Sequence, residues 1–154
     1  FEPKRVYRSI REQVSEEEYT IPLGQAKVIA EGTDITILSW GACVHTCNDA
    51  LDLLPEDVSA ELIDLRTINP LDTDTIIASV EKTGRCVIVH EAPKTVGFGA
   101  EIATILMERC FLSLKAPVQR VAGFDVMMPY YKLEQKYLPD AERVREAVVA
   151  CLNY

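Results

Sequence analysis

The sequence of 154 residues lacks several features that would assign it directly to a functional class. No apolar run approaches the roughly 20 residues needed to span a bilayer, so a membrane protein is not expected. Basic residues number 16 against 24 acidic ones, which gives a formal net charge of −8. Because nucleic-acid binding depends on a basic surface, nucleic acid is not expected as the principal partner. A cationic protein is a more compatible partner for a chain with this negative charge.

Motifs of common nucleotide and hydrolase sites are also missing. The sequence has no G-x-x-x-x-G-K-[ST] loop and no G-x-S-x-G motif near either histidine. The stretch VHEAPKTVGFGAEI offers Gly97 and Gly99 but has Ile102 where a dinucleotide fingerprint needs its third glycine. We interpret the two glycines as giving the backbone freedom and letting the next helix begin close to the strand.

Two groups of chemically active side chains cannot converge on one site if they lie on a regular strand or helix. His90 and Glu91 could form an acid–base pair, but successive strand residues point to opposite faces. We favour a partly buried histidine satisfied by a neighbour, beside a glutamate that anchors the loop. On a helix Cys43 and Cys47 share a face and His45 lies about 200° away, so no metal site is expected. The five cysteines are predicted to be buried thiols.

Strand-like and helix-like segments alternate from Gln25 onward. The short EGTD connection between AKVIA and ITILSW favours a hairpin there. The alternation as a whole favours an α/β domain of three layers (α/β/α), with a mostly parallel sheet of about five strands and helices on both faces. The loops after the strands should then share one edge, namely Trp40–Cys43, Arg66–Asp72, His90–Gly99 and Gly123–Pro129.

Capping signals mark three helix ends. Asp72 and Asp140 are predicted N-caps, and Gly84 is predicted to end the helix that begins after Asp72. A further helix is expected from about Gly99 to Leu114. Nothing in these elements forms a self-contained catalytic set.

Longer strings carry a family resemblance. AELIDLRTINPLDTDTIIASVEKTGRCVIVHEAPKTVGFGAEI, with IPLGQAKVIAEGTDITILSWG before it and LKAPVQRVAGFDVMMPYYKLEQKYLPD after it, resembles the C-terminal domain of 2-oxoacid dehydrogenase E1 β subunits. This is a transketolase C-terminal-type domain. IPLGQA, SWGACVH and the terminal NY are most similar to the branched-chain 2-oxoisovalerate type, whereas VMMPY is similar to the pyruvate type, and the acetoin enzymes are further relatives. FEPKRVYR resembles the tail of a preceding pyrimidine-binding domain.

The resemblance implies a domain at 24–154, preceded at 1–23 by the end of another domain and a linker, so the chain is expected to be a fragment or processed product. It also implies an α2β2 enzyme that uses thiamine diphosphate and magnesium, decarboxylates a 2-oxoacid and acylates the lipoyl group of E2. That cofactor lies between two other domains. The resemblance therefore carries over no catalytic, cofactor or metal residue, and this chain alone should bind no cofactor and be inactive. The expected compartment is the mitochondrial matrix in a eukaryote and the cytoplasm in a bacterium.

The resemblance implies that this domain serves in the assembly of the enzyme complex. It implies contacts with a second β subunit and the α subunits, and with the small basic peripheral subunit-binding domain of E2. In relatives the E2 contact uses an acid in an L-[DE]-A-P string and the C-terminal carboxylate, which fall on Lys115 and Tyr154. Lys115 departs from the pattern by reversing the charge. The alternative is a free-standing α/β ligand-binding domain that uses the loop His90–Gly99.

Overall fold

The computed structural model describes residues 4–11 and 13–154. Its strands are β1 (Lys27–Ala30), β2 (Ile35–Ser39), β3 (Ala60–Asp64), β4 (Cys86–Pro93) and β5 (Gln119–Gly123). Its α-helices are α1 (Cys43–Leu51), α2 (Thr73–Thr83), α3 (Gly99–Arg109), α4 (Glu134–Tyr137) and α5 (Ala141–Leu152), and short 3-10 helices lie at Lys4–Val6 and Phe111–Ser113.

The strands form one sheet in the order β1-β3-β2-β4-β5. Strands β2 to β5 run parallel to one another, and β1 is an antiparallel edge strand on β3. The predicted hairpin between β1 and β2 is therefore wrong. The connection passes the start of β3, because Thr33 and Asp34 donate their backbone N–H groups to the carbonyl of Ser59. Gly32 fits there because a Cβ would lie 2.2 Å from the carbonyl carbon of Ala60.

Both faces of the sheet are covered, as the three-layer prediction required. Alternation along the strands sends Ile37 to one core and Leu38 to the other. Helices α1 and α5 close the first core, and α2 and α3 close the second. Full burial of each such side chain stabilises the fold by roughly 1.5–3 kcal/mol. None of the helices in the described part of the chain is long and apolar enough to cross a membrane.

The predicted caps are confirmed. The carboxylate of Asp72 accepts the N–H of Thr75 at 3.1 Å, and that of Asp140 accepts the N–H of Arg143 at 2.8 Å. Gly84 ends α2 with a φ of 73°, a left-handed conformation that glycine adopts without a Cβ penalty.

Helix α3 is shorter than predicted. It ends at Arg109 because Cys110 leaves helical geometry, with a φ of −121°. A 3-10 turn at Phe111–Ser113 then brings the chain back, and the backbone N–H of Lys115 donates to the carbonyl of Gly84 at 2.7 Å. That bond fixes the segment leading into β5 beside the start of β4.

Candidate functional site

The carboxyl ends of the parallel strands bring the predicted loops together. The ring of Trp40 stacks on that of His90, with centroids 5.4 Å apart, and meets the ring of Phe98 edge-on at 5.9 Å. The N–H of Lys94 donates to the carbonyl of Gly123 at 3.2 Å. The loops after β2, β4 and β5 therefore form one surface.

A histidine side chain explains the two glycines of the loop after β4. A Cβ on Gly99 would lie 2.6 Å from Nε2 of His90, and one on Gly97 would lie 2.7 Å from Cε1 of the same ring. The glycines therefore let the helix begin close to the strand, as predicted, and they do so to make room for the imidazole. Because that ring fills the space, these residues do not fit a diphosphate.

The environment of His90 differs from the prediction of a partly buried, satisfied histidine. Its exposed fraction is 1%, and within the described residues neither ring nitrogen has a hydrogen-bond partner. Burial lowers its pKa, an effect that the nearby backbone of Ala92 opposes and the charge of Arg120 adds to. Glu91 points away from His90 and accepts a hydrogen bond from Arg5 at 2.6 Å, which anchors the N-terminal connector. His90 and Glu91 therefore do not converge on one site.

The opposite, amino-terminal edge of the sheet holds both residues proposed to contact a partner. Lys115 is exposed, and its aliphatic stem lies on Gly84, with Cδ 2.8 Å from where a Cβ of that glycine would be. Tyr154 follows α5 and is 79% exposed. The thiol of Cys151, near the end of α5, faces the carbonyl of Pro117 at 3.9 Å. The Lys115 turn and the end of α5 are therefore neighbours.

An open cleft of about 440 Å³ lies at this edge between the end of α5 and the loops that precede β2, β3 and β4. Those loops contribute Asp34, Asp57 and Arg85. Nε of Arg85 is buried with no hydrogen-bond partner in the part of the chain that the structure describes. Two acids and the negative end of a helix thus line this cleft together with Arg85, and Lys115 lies outside the lining, against Gly84. No sequence pattern indicated this cleft, because its charged residues come from three separated loops.

Comparison with known proteins identifies the family. The family described as "Transketolase, C-terminal domain" matches residues 24–144. This chain belongs to the transketolase C-terminal domain family. A solved structure of a split-gene transketolase, an inactive β4 tetramer, shares the fold with a TM-score of 0.75 and 27% identity, over 92% of this chain and 46% of that one.

The domain is also similar to E1 β subunits, as the sequence resemblance predicted. It is 49% identical to the mitochondrial 2-oxoisovalerate dehydrogenase subunit β of Dictyostelium discoideum, over 100% of this chain and 42% of the relative. It is equally 49% identical to the pyruvate dehydrogenase E1 component subunit β of Bacillus subtilis (strain 168), over 99% of this chain and 47% of the relative. The chain thus spans less than half the length of these relatives, and overall identity does not separate the two types.

The cysteines of this transketolase C-terminal domain lie in its interior. All five are buried, as predicted, and each is a free thiol in this structure. Burial raises the pKa values of Cys43 and Cys47 to about 12 each, so both are protonated and unreactive near neutral pH. His45 lies exposed on the same helix. Within residues 4–11 and 13–154, no group of three or more His, Cys, Asp or Glu side chains could hold a metal ion.

The burial of His90 predicts a loss of stability in acid. Its folded pKa lies below the ordinary value of 6.5, so the unfolded chain binds more protons between those two pKa values. Stability should therefore fall as the pH drops below about 6.5, by up to about 1.4 kcal/mol per pH unit in that window. Urea unfolding at several pH values measures this.

The domain offers a matched pair of variants for that experiment, because His45 is its second histidine and is exposed. His90→Leu should flatten the pH dependence between neutral pH and mild acid, whereas His45→Gln should keep it. Equal slopes in wild type and His90→Leu would show that other groups cause the acid sensitivity.

Proposed function

We propose that this chain is the assembly and E2-docking domain of an E1 β subunit in a thiamine diphosphate-dependent 2-oxoacid dehydrogenase. The observation that supports this most is the 49% identity to E1 β subunits along essentially the whole chain. The complete enzyme would bind thiamine diphosphate and magnesium, decarboxylate a 2-oxoacid oxidatively and acylate the lipoyl group of E2. Its compartment would be the mitochondrial matrix in a eukaryote or the cytoplasm in a bacterium.

The branched-chain 2-oxoisovalerate type is the first proposal for the whole enzyme. IPLGQA, SWGACVH and the terminal NY support it. The pyruvate type is the second candidate, because a pyruvate dehydrogenase β subunit has the same 49% identity. This domain offers little basis for choosing, since we assign it no residue that contacts the 2-oxoacid.

The role proposed for this chain's own residues is to contact partner subunits. The loop after β4 has its interior filled by His90, which disfavours the alternative of a free-standing ligand-binding domain. The α subunits and a second β subunit are the proposed assembly partners. The β4 tetramer formed by a relative supports the idea that chains of the β type associate with copies of themselves.

Docking of E2 is proposed at the amino-terminal edge of the sheet. Lys115 and Tyr154 lie there, and Asp34 and Asp57 add negative charge beside the end of α5. The net charge of −8 suits a small basic partner domain. Lys115 and Arg85 oppose that field locally, so we expect docking to be weaker than with an acid at position 115.

A domain exchange tests the proposal. Residues 24–154 should replace the matching domain of the Bacillus subtilis pyruvate dehydrogenase β subunit and give a chimera that assembles with its α subunit. Decarboxylation of pyruvate should persist, because the exchanged domain is proposed to select no substrate. Size-exclusion chromatography with light scattering and an activity assay measure both results.

The control is the same β subunit with the domain deleted, which should not assemble. A chimera that folds, as shown by circular dichroism, yet stays separate from the α subunit would contradict the assembly role. The free-standing ligand-binding alternative would then be preferred.

A further inference from the structure

The open cleft beside the end of α5 is lined by charges of both signs that come from neighbouring strands. Asp57 lies before β3, Asp34 before β2 and Arg85 before β4, and β2 lies between β3 and β4 in the sheet. Neighbouring strands are about 4.8 Å apart, so the starts of β3 and β4 are separated by about 10 Å. Charged side chains from these loops can therefore contact one small molecule between them.

Both acids belong to the β3 side of the cleft. Oδ2 of Asp34 accepts the backbone N–H of Ser59 at 2.7 Å, which directs this carboxylate towards the start of β3. Asp57 is exposed in the same loop, two positions before Ser59. The last carbonyl groups of α5 add partial negative charge to the cleft. This side is therefore suited to the ammonium group of a ligand.

Arg85 gives the β4 side the opposite character. Its backbone is fixed, because the carbonyl accepts the N–H of Thr36 at 2.9 Å. Within residues 4–11 and 13–154, however, its guanidinium forms no ion pair, and Nε is buried without a hydrogen-bond partner. A partly buried cation with unsatisfied donors is unfavourable, and a carboxylate fits the guanidinium with two parallel hydrogen bonds. Arg85 is therefore suited to a carboxylate that comes from a ligand.

Apolar side chains form the rest of the lining. Pro55 and Val58 come from the loop before β3, and Val149 and Leu152 come from α5. Small-molecule sites combine such a lining with a few placed polar groups, and they have volumes of roughly 300–1,000 Å³. The cleft, at about 440 Å³, lies within that range. A short aliphatic chain would bury apolar surface against these walls.

We propose that this cleft is a binding site for a zwitterion, namely a free α-amino acid with a short aliphatic side chain. The carboxylate of the ligand pairs with Arg85, its ammonium group pairs with Asp57 or Asp34, and its aliphatic chain lies against α5. A simple cation would leave Arg85 unpaired, and a simple anion would meet two acids. The site belongs to the domain itself and goes beyond the docking role proposed above.

NMR titration of the ¹⁵N-labelled 154-residue chain tests this, with L-norvaline as the probe. Norvaline should shift amide signals of the cleft with a Kd on the order of 1–10 mM, as expected for so small a ligand. Two analogues each lack one charge, because pentanoate has no ammonium group and butylamine has no carboxylate. Each analogue should bind about fivefold more weakly, since one ion pair is lost.

Variants assign the two charges to residues. Arg85→Gln should weaken norvaline binding about fivefold and should not weaken butylamine binding. Asp57→Asn should weaken norvaline binding about threefold and should not weaken pentanoate binding. The matched control is Arg109→Gln, because Arg109 is exposed at the end of α3 and lies outside the cleft. It should leave all three affinities unchanged.

Spectra that match wild type outside the cleft would show that each variant is folded, and the analogues decide the matter in wild type even if Arg85→Gln does not fold. Norvaline that causes no saturable shifts at about 50 mM would overturn the proposal. Butylamine that binds as tightly as norvaline would overturn it too and assign the cleft to a basic side chain of a partner. So would a folded Arg85→Gln variant with wild-type affinity. The domain exchange with the Bacillus subtilis subunit tests the assembly role separately.

Discussion

Replacing Gly99 with alanine should destabilise the domain by about 2–3 kcal/mol, the upper range for overpacking a core. The added Cβ would lie 2.6 Å from Nε2 and 2.7 Å from Cδ2 of His90, and 3.2 Å from Cγ2 of Ile88. The imidazole cannot easily move away from the added Cβ, because the Trp40 ring stacks on it with centroids 5.4 Å apart and Gly97 lies against another side. Urea unfolding monitored by circular dichroism gives the change in the free energy of unfolding.

A double-mutant cycle shows whether the histidine is the cause. Removing the ring with His90→Ala should cost stability alone but relieve the clash, so the double variant should be more stable than the sum of the single losses predicts. The coupling should be about 1–2 kcal/mol, the range for residues in contact. Additive losses would contradict the account of why glycine occupies position 99.

Gly41→Ala serves as the control substitution. Gly41 has a φ of 60°, and among the described residues, its own chain neighbours aside, no atom lies within 4 Å of the position of a Cβ, so alanine there meets backbone strain without a clash. It should cost about 1–2 kcal/mol. His90→Ala should leave that cost unchanged.

The glycine loop shows what sequence patterns can and cannot reveal. The order strand, loop, helix and the placement of two glycines at the helix start predicted a close approach between elements. Which side chain would fill the space depends on packing between β2, β4 and α3. A pattern of residue types therefore predicted the geometry of the loop but not the burial of His90 without hydrogen bonds.

Local signals predicted helix ends better than strand neighbours. Asp72 and Asp140 cap their helices through bonds to residues three positions along, which sequence spacing encodes directly. The pairing of β1 with β3 has no such local signal, because a short connection permits either a hairpin or a crossing past a third strand. Gly32, which lies against the backbone of Ala60, decides between them only once β3 is in place.

The resemblance suggested two docking residues, and the structure adds their surroundings. Lys115 and Tyr154 are 39 positions apart in the sequence, yet both lie at the amino-terminal edge of the sheet. Arg85 and Asp34 join them there from loops that precede other strands. Their proximity follows from the parallel sheet order, so sequence alone could suggest the contact residues but not the mixed charge around them.

The second large effect follows from the proposed E2 docking and is expected at Lys115. Lys115→Glu should tighten binding of the E2 peripheral subunit-binding domain by roughly tenfold, equivalent to about 1.4 kcal/mol, because it replaces a repulsive charge with an attractive one. The stem at position 115 rests on Gly84, at the same edge of the sheet as Arg85, so the partner still meets one cation nearby. The gain stays modest, since an exposed ion pair contributes only about 0–1 kcal/mol.

The measurement is a calorimetric titration of the complete E1 tetramer with its own E2 binding domain at several salt concentrations. Lys115→Glu should also steepen the loss of affinity with added salt, because more of the attraction becomes electrostatic. Deleting Tyr154 should weaken binding by removing one of the two proposed contact residues. Lys94→Glu makes the same change of charge at the carboxyl edge of the sheet, where Lys94 is exposed, and should change affinity little. If Lys115→Glu weakens the complex, or has no more effect than Lys94→Glu, E2 docks on another face of the domain.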